Sequence, residues 1–109
     1  MKLALSSQDT TMDAVLSGFG RCRYFLIYDT DTKDVSTMSN EGNMTAGRGA
    51  GTRTAQDVVK TGAEAIITSQ IGPKAVSYLH GKKMPVYVSG APSVEQAVQE
   101  FLDGSLQAV

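Results

Sequence analysis

The hydrophobic positions fall into two regimes. Up to Ser39 they come as short dense runs between polar turns, the pattern of strands. Beyond Thr52 such runs alternate with stretches at helical spacing, the pattern of crossover connections.

Lys2–Ser6 holds Leu3-Ala4-Leu5 and predicts a buried strand. Ser7–Ser17 is polar and mixed and predicts a loop, with a brief extended piece at Ala14-Val15-Leu16. Gly18-Phe19-Gly20-Arg21 predicts a turn. Tyr24–Tyr28 (YFLIY) is the densest aromatic and aliphatic run and predicts a strand. The polar turn Asp29–Asp34 then returns Val35–Ser39 as an antiparallel edge strand. Ala65-Ile66-Ile67 shows no polar alternation, so it predicts a central strand buried on both faces. Pro85–Val88 predicts a short strand.

Three segments carry the helical period. Ala55, Val58, Val59 and Gly62 sit at i, i+3, i+4 and i+7 and predict a helix over Thr52–Thr61, with Gly62 at C′. Gly72-Pro73 reads as a turn into a helix over Pro73–His80, with proline where its missing N–H costs nothing and Gly81 at C′. Ser93, with Gln96 three residues on, forms a capping-box pattern. The helix it opens carries Val94, Ala97, Val98, Phe101 and Leu102 on one face and ends at Gly104. Glu41–Gly51, with glycines at 42, 47, 49 and 51, predicts the least structured and most mobile stretch. The order β-β-β-α-β-α-β-α gives a mixed five-stranded sheet covered by three helices, an α/β fold, in one domain over residues 1–109.

Composition narrows the function classes. Ten basic and eleven acidic residues give a net charge of −1, without the basic face that nucleic-acid binding needs. No apolar run reaches the roughly 18 residues of a membrane span, and the start turns polar too soon for a signal peptide. The expectation is a cytoplasmic monomer that meets neither membrane nor nucleic acid. Cys22, the one cysteine, has no intrachain disulfide partner.

Three stretches carry candidate chemistry. The loop Gly47-Arg48-Gly49-Ala50-Gly51-Thr52 opens a helix, and its free N–H groups and the helix dipole favour an anion, with Arg48 and Arg53 adding charge. It lacks the GK[ST] ending of a phosphate loop and equally suits a flexible connection with Thr52 as N-cap. Ser69-Gln70-Ile71-Gly72 ends the central strand, where open α/β sheets bind ligands; a plain strand-to-helix turn explains Gly72 and Pro73 as well. Gly18-Phe19-Gly20-Arg21-Cys22-Arg23 puts two arginines beside the thiol, which lowers its pKa and favours a metal-ligating thiolate, unless Cys22 is a small core filler. Met12 and Met44 are soft-sulfur candidates for copper(I) or covers for apolar surface. His80 suits a helix C-terminus. Asp9, Asp29, Asp31 and Asp34 suggest a two-metal nuclease only weakly, since the last three share one turn and no acid ends the central strand.

GFGRCRYFLIYD (18–29), GRGAGTRTAQDVV (47–59), GAEAIITSQIGPKAV (62–76) and SVEQAVQEFLDG (93–104) together resemble the dinitrogenase iron–molybdenum cofactor biosynthesis family of NifX-like carriers, NifB C-terminal domains and small stand-alone proteins. The resemblance implies a ribonuclease H-like motif with sheet order 3-2-1-4-5. It also implies noncovalent carriage of an anionic metal–sulfur cluster, Mo–Fe–S in nitrogenase settings or Mo–Cu–S in orange proteins. Many relatives have a histidine within or just before the glycine-rich loop, where this chain has an arginine, Arg48, and no histidine, which speaks against a direct metal bond from the loop and leaves capture by charge and hydrogen bonds. The implied cleft is formed by Phe19, Gly20, Arg21, Cys22 and Arg23, by Arg48, Gly49, Ala50, Gly51 and Thr52, and by Ser69, Gln70, Ile71 and Gly72. This reading makes the protein a carrier rather than an enzyme, with a protein partner for delivery. The alternatives are an adaptor using its edge strand and, behind it, a metal-dependent nuclease or phosphoryl-handling enzyme.

Overall fold

Two apolar layers flank one sheet, and the central strands are buried because both of their faces are covered. The computed structural model describes residues 1–44 and 50–109. The strands are β1 (Lys2–Ser7), β2 (Tyr24–Asp29), β3 (Val35–Ser39), β4 (Ala65–Thr68) and β5 (Val86–Val88). The helices are α1 (Glu41–Met44), α2 (Ala50–Val59), α3 (Pro73–Gly81) and α4 (Val94–Leu102), and a 3-10 turn covers Phe19–Arg21. The sheet order is β3-β2-β1-β4-β5, a ribonuclease H-like arrangement. The β1–β2 and β2–β3 pairs are antiparallel, whereas β1–β4 and β4–β5 are parallel.

Alternate residues of the central strands feed opposite layers. Ala4 and Ile66 join Phe25, Ala55, Val58, Ala75 and Leu79 under α2 and α3. Leu3, Leu5, Ala65 and Ile67 join Leu26, Val94, Ala97 and Val98 under α4. Leu3, Leu5, Ile66 and Ile67 are all fully buried, which accounts for the unbroken apolar run.

The structure departs from the sequence expectation at the helices. Glu41–Met44 forms a helical turn, so the described residues hold four helices where three are predicted. α2 starts at Ala50, which puts Thr52 inside the helix and not at its N-cap. The remainder of the predicted mobile stretch, residues 45–49, lies outside the described residues and takes Arg48 and Gly49 with it. α3 runs through Gly81, and Lys83 takes the left-handed conformation (φ 58°) predicted for that glycine. The Met84 N–H donates to the Leu79 carbonyl at 2.9 Å and its side chain is buried, so core packing closes this helix one step later. α2 ends at Val59, two residues before the predicted Thr61, and Gly62 (φ 82°) lies in the turn that follows, whereas Gly104 (φ 76°) stands just past the C-cap of α4 as predicted.

Candidate functional site

At the carboxyl ends of β1 and β4 the chain parts in opposite directions, towards β2 on one side and β5 on the other. That divergence opens a crevice where α/β sheets characteristically bind ligands. Here it is a cleft of about 500 Å³ lined by residues 18–21, 50–52 and 70–75.

Its walls are fixed by backbone bonds. The Phe19 N–H donates to the Gln70 carbonyl at 2.8 Å, and the Ser69 N–H donates to the Ser17 carbonyl at 3.1 Å. Beneath them the buried Ser6 hydroxyl lies 2.8 Å from the Thr68 hydroxyl, and both also contact the Ser17 carbonyl. The Phe19 ring leaves the cleft for the core, meeting Phe25 edge-on at 5.3 Å. Gly20 lets the 3-10 turn touch α2: a Cβ there would lie 3.4 Å from Gly51 Cα. A larger residue would push the walls apart.

Two helices present their N-termini to the cleft through Ala50-Gly51-Thr52 and Gly72-Pro73-Lys74-Ala75. Neither has an acid in its first turn. Gly72 is the N-cap of α3 and supplies no side-chain bond. The first N–H groups of a helix have no intrahelical partner, and these carry the positive end of the dipole. Arg21 and Lys74 are exposed cations on the rim, and the described lining contains no carboxylate, imidazole or exposed thiol. The cleft therefore offers a ligand positive charge and N–H donors rather than metal-ligating atoms.

The cleft brings together Phe19, Gly20, Arg21, Ala50, Gly51, Thr52, Gln70, Ile71 and Gly72 of the predicted set. Arg23 is exposed and Ser69 half-buried, and neither lines it. Cys22 reverses its expectation. It is fully buried in the core layer with Phe25, and its Sγ donates to the Phe19 carbonyl at 3.3 Å. Burial pushes its pKa up to about 12, against the lowering predicted from its arginine neighbours. Arg21 ends the 3-10 turn and is exposed, the chain becomes extended at Cys22, which is buried, and Arg23 is exposed again, so the thiol is turned away from both arginines. Met12 packs against the α4 layer, away from the cleft. His80 lies exposed in the last turn of α3. Asp29 and Asp31 bind the N-terminal ammonium at 3.7 and 2.8 Å, beside the first residues of β1 and so at the sheet end opposite the cleft. Among the described residues no cluster of three acids, histidines or cysteines is placed to hold a metal. No described helix is long and apolar enough to cross a membrane.

The cleft also holds Gly18, Pro73, Lys74 and Ala75, which lie outside the predicted set, and of these Lys74 alone carries charge. A cation in a helix's first turn costs about 0.3–1 kcal/mol against the dipole, and this breach of the usual rule is the signal that marks it.

The model of the family described as dinitrogenase iron–molybdenum cofactor matches residues 1–104. The apo form of the orange protein from Desulfovibrio gigas superposes with a TM-score of 0.93 at 32% identity, over 99% of this chain and 92% of that one. A candidate NifB protein from Thermotoga gives a TM-score of 0.85 at 29% identity, over 98% and 91% of the two chains. A protein of Methanocaldococcus jannaschii is 29% identical over 98% of this chain and 90% of its own.

Proposed function

The chain belongs to the dinitrogenase iron–molybdenum cofactor family, and from that premise we propose that it binds and carries an anionic molybdenum-containing metal–sulfur cluster. The cluster is of the Mo–Fe–S or Mo–Cu–S type and sits noncovalently in the cleft at the carboxyl ends of β1 and β4. The observation that carries this reading is the open N-terminus of α3, where Gly72 leaves the helix without a side-chain cap and Lys74 adds positive charge. The family match and the likeness to the orange protein support it.

A cluster coated with sulfides already has its metals saturated. It asks for hydrogen-bond donors and cations, not for ligands, and each charge-assisted hydrogen bond contributes about 1.5–3 kcal/mol. The proposed donors are the first amides of α2 and α3, with Arg21 and Lys74 as counter-charges. Gly20, Gly51 and Gly72 let the cluster approach the backbone, and Phe19, Gln70 and Ile71 shape the walls. Ala50 and Thr52 belong to the α2 end. Arg48 and Gly49 join the proposal on their sequence position alone. In this role the protein is a carrier, a cytoplasmic monomer that hands the cluster intact to a protein partner.

The test is metal and acid-labile sulfide analysis, with a visible spectrum, on protein purified anaerobically from its native source. Stoichiometric molybdenum and sulfide with iron or copper is the expected result and names the cluster. A colourless, metal-free protein that also takes up no tetrathiomolybdate overturns the reading. A stably co-purifying partner in that case favours an adaptor working through the exposed edge strand β3.

A further inference from the structure

We infer that Asn40 is a positioning residue for the cleft, because its buried side chain bonds both walls at once and so sets their separation. The inference rests on the reading of the cleft as an anion site. Asn40 follows the last residue of β3 and is only 1% exposed. Its Nδ2 donates to the Cys22 carbonyl at 3.0 Å, and Cys22 is the residue that ends the 3-10 turn. Its Oδ1 accepts from the Thr54 hydroxyl at 3.0 Å, and Thr54 stands one turn into α2. The first partner belongs to the wall of Phe19-Gly20-Arg21 and the second to the wall of Ala50-Gly51-Thr52.

The same oxygen accepts from Asn43 Nδ2 at 3.0 Å, and that amide also reaches Asp57 Oδ2 at 2.7 Å. The Asn40 N–H donates to the Arg23 carbonyl at 2.7 Å. Asn40 thus ties β3, α1, α2 and the end of the 3-10 turn into one network. Thr54 and Cys22 are fully buried, so water cannot replace a lost bond. The separation it fixes is narrow, since a Cβ on Gly20 would already meet Gly51 Cα at 3.4 Å. A positioning role of this kind acts through the walls; Asn40 does not line the cleft.

Asn40→Leu keeps the size of the side chain and removes the bonds to both walls together with the one from Asn43. Thr54→Val keeps its shape and removes one. Calorimetry with tetrathiomolybdate is expected to show affinity weakened about tenfold or more by Asn40→Leu and by less with Thr54→Val. The double variant is expected to be no weaker than Asn40→Leu alone, because both substitutions cut one connection. Val98→Ala, in the other core layer, is expected to lose stability without losing affinity, which separates positioning from general loosening. In the ligand-free protein, Asn40→Leu is expected to weaken the NMR contact between the Gly20 and Gly51 α-protons. Unchanged affinity with an unchanged contact overturns the inference. Should Asn40→Leu fail to fold, Thr54→Val carries both measurements. A wild-type protein that binds no tetrathiomolybdate defeats the anion-site reading, and the Gly20–Gly51 contact still decides the role of Asn40.

Discussion

α3 and α4 are both nine residues long and both begin in loops beyond parallel strands, yet their N-termini are treated oppositely. α4 is closed by the protein itself. The Ser93 hydroxyl accepts from the Gln96 N–H at 3.2 Å, the Val94 N–H donates to Ala14 at 2.9 Å, and the Glu95 N–H donates to Met12 at 2.8 Å. Glu95 adds a negative charge to its first turn. α3 has glycine as its N-cap, proline next and a lysine in place of an acid. Backbone conformation does not demand the glycine: Gly72 (φ −81°, ψ 160°) is as extended as Ser93 (φ −141°, ψ 160°). Nor does crowding, because a Cβ on Gly72 would meet nothing within 4 Å. An uncapped end and a misplaced cation each cost stability, about 0.3–1 kcal/mol. The fold accepts that cost where the helix faces a cleft and avoids it where the helix faces the protein, as expected if an outside anion completes the open end.

The largest expected effect comes from closing that end. Gly72→Asp places a capping carboxylate where the conformation already suits one. It is expected to raise stability by about 1 kcal/mol in urea unfolding and to weaken tetrathiomolybdate binding by about 100-fold or more, through like-charge repulsion and occupied amides. Ser93→Ala is the mirror experiment, costing about 1 kcal/mol of stability with no loss of affinity. Opposite signs at one helix and a silent binding result at the other would sharpen the contrast. Retained binding in Gly72→Asp would remove α3 from the site.

A smaller effect is expected from the rim cations. Exposed charges contribute about 0.5–1 kcal/mol each, so Arg21→Gln with Lys74→Gln is expected to weaken binding about tenfold at low salt. The variant's affinity is also expected to vary less with salt than the wild type's. Lys74→Gln alone is expected to raise stability by a few tenths of a kcal/mol, about what relieving the α3 dipole allows. An affinity independent of both residues and of salt would mean the cleft does not select by charge.

The sheet was legible in the sequence because its evidence is local and repeated. Ala65-Ile66-Ile67 has no polar alternation and is buried on both faces, and Tyr24–Tyr28 packs into both layers. α4 was legible for the same reason, since its helical period and its Ser93 cap agree. α1 was not, because one helical turn has no period to read and is held by long-range bonds such as Asn43 to Asp57. The cleft was legible as three stretches rather than as a set of side chains. Sequence adjacency placed Cys22 with its arginines, but the exit from the 3-10 turn put it in the core. Asn40 gave no signal, since the two partners that link it to the cleft walls lie 18 and 14 residues away along the chain.

The smallest expected effect on binding tests that inward turn. Cys22 is buried with its thiol on the Phe19 carbonyl, so it offers the cleft no sulfur. Cys22→Ala keeps the carbonyl that Asn40 uses, and tetrathiomolybdate affinity is expected to stay within about twofold. The thiol shows itself in stability instead. Desolvation holds the native proton on to about pH 12, against an ordinary value of 9.0. Between those limits the folded chain binds more protons than the unfolded one, so stability falls as pH rises, by up to about 1.4 kcal/mol per unit from this group. Urea unfolding at pH 8 and 10.5 is expected to show a steeper fall in the wild type than in Cys22→Ala. Equal slopes, or a tenfold loss of affinity in the variant, would return the thiol to the cleft and make it a ligand after all.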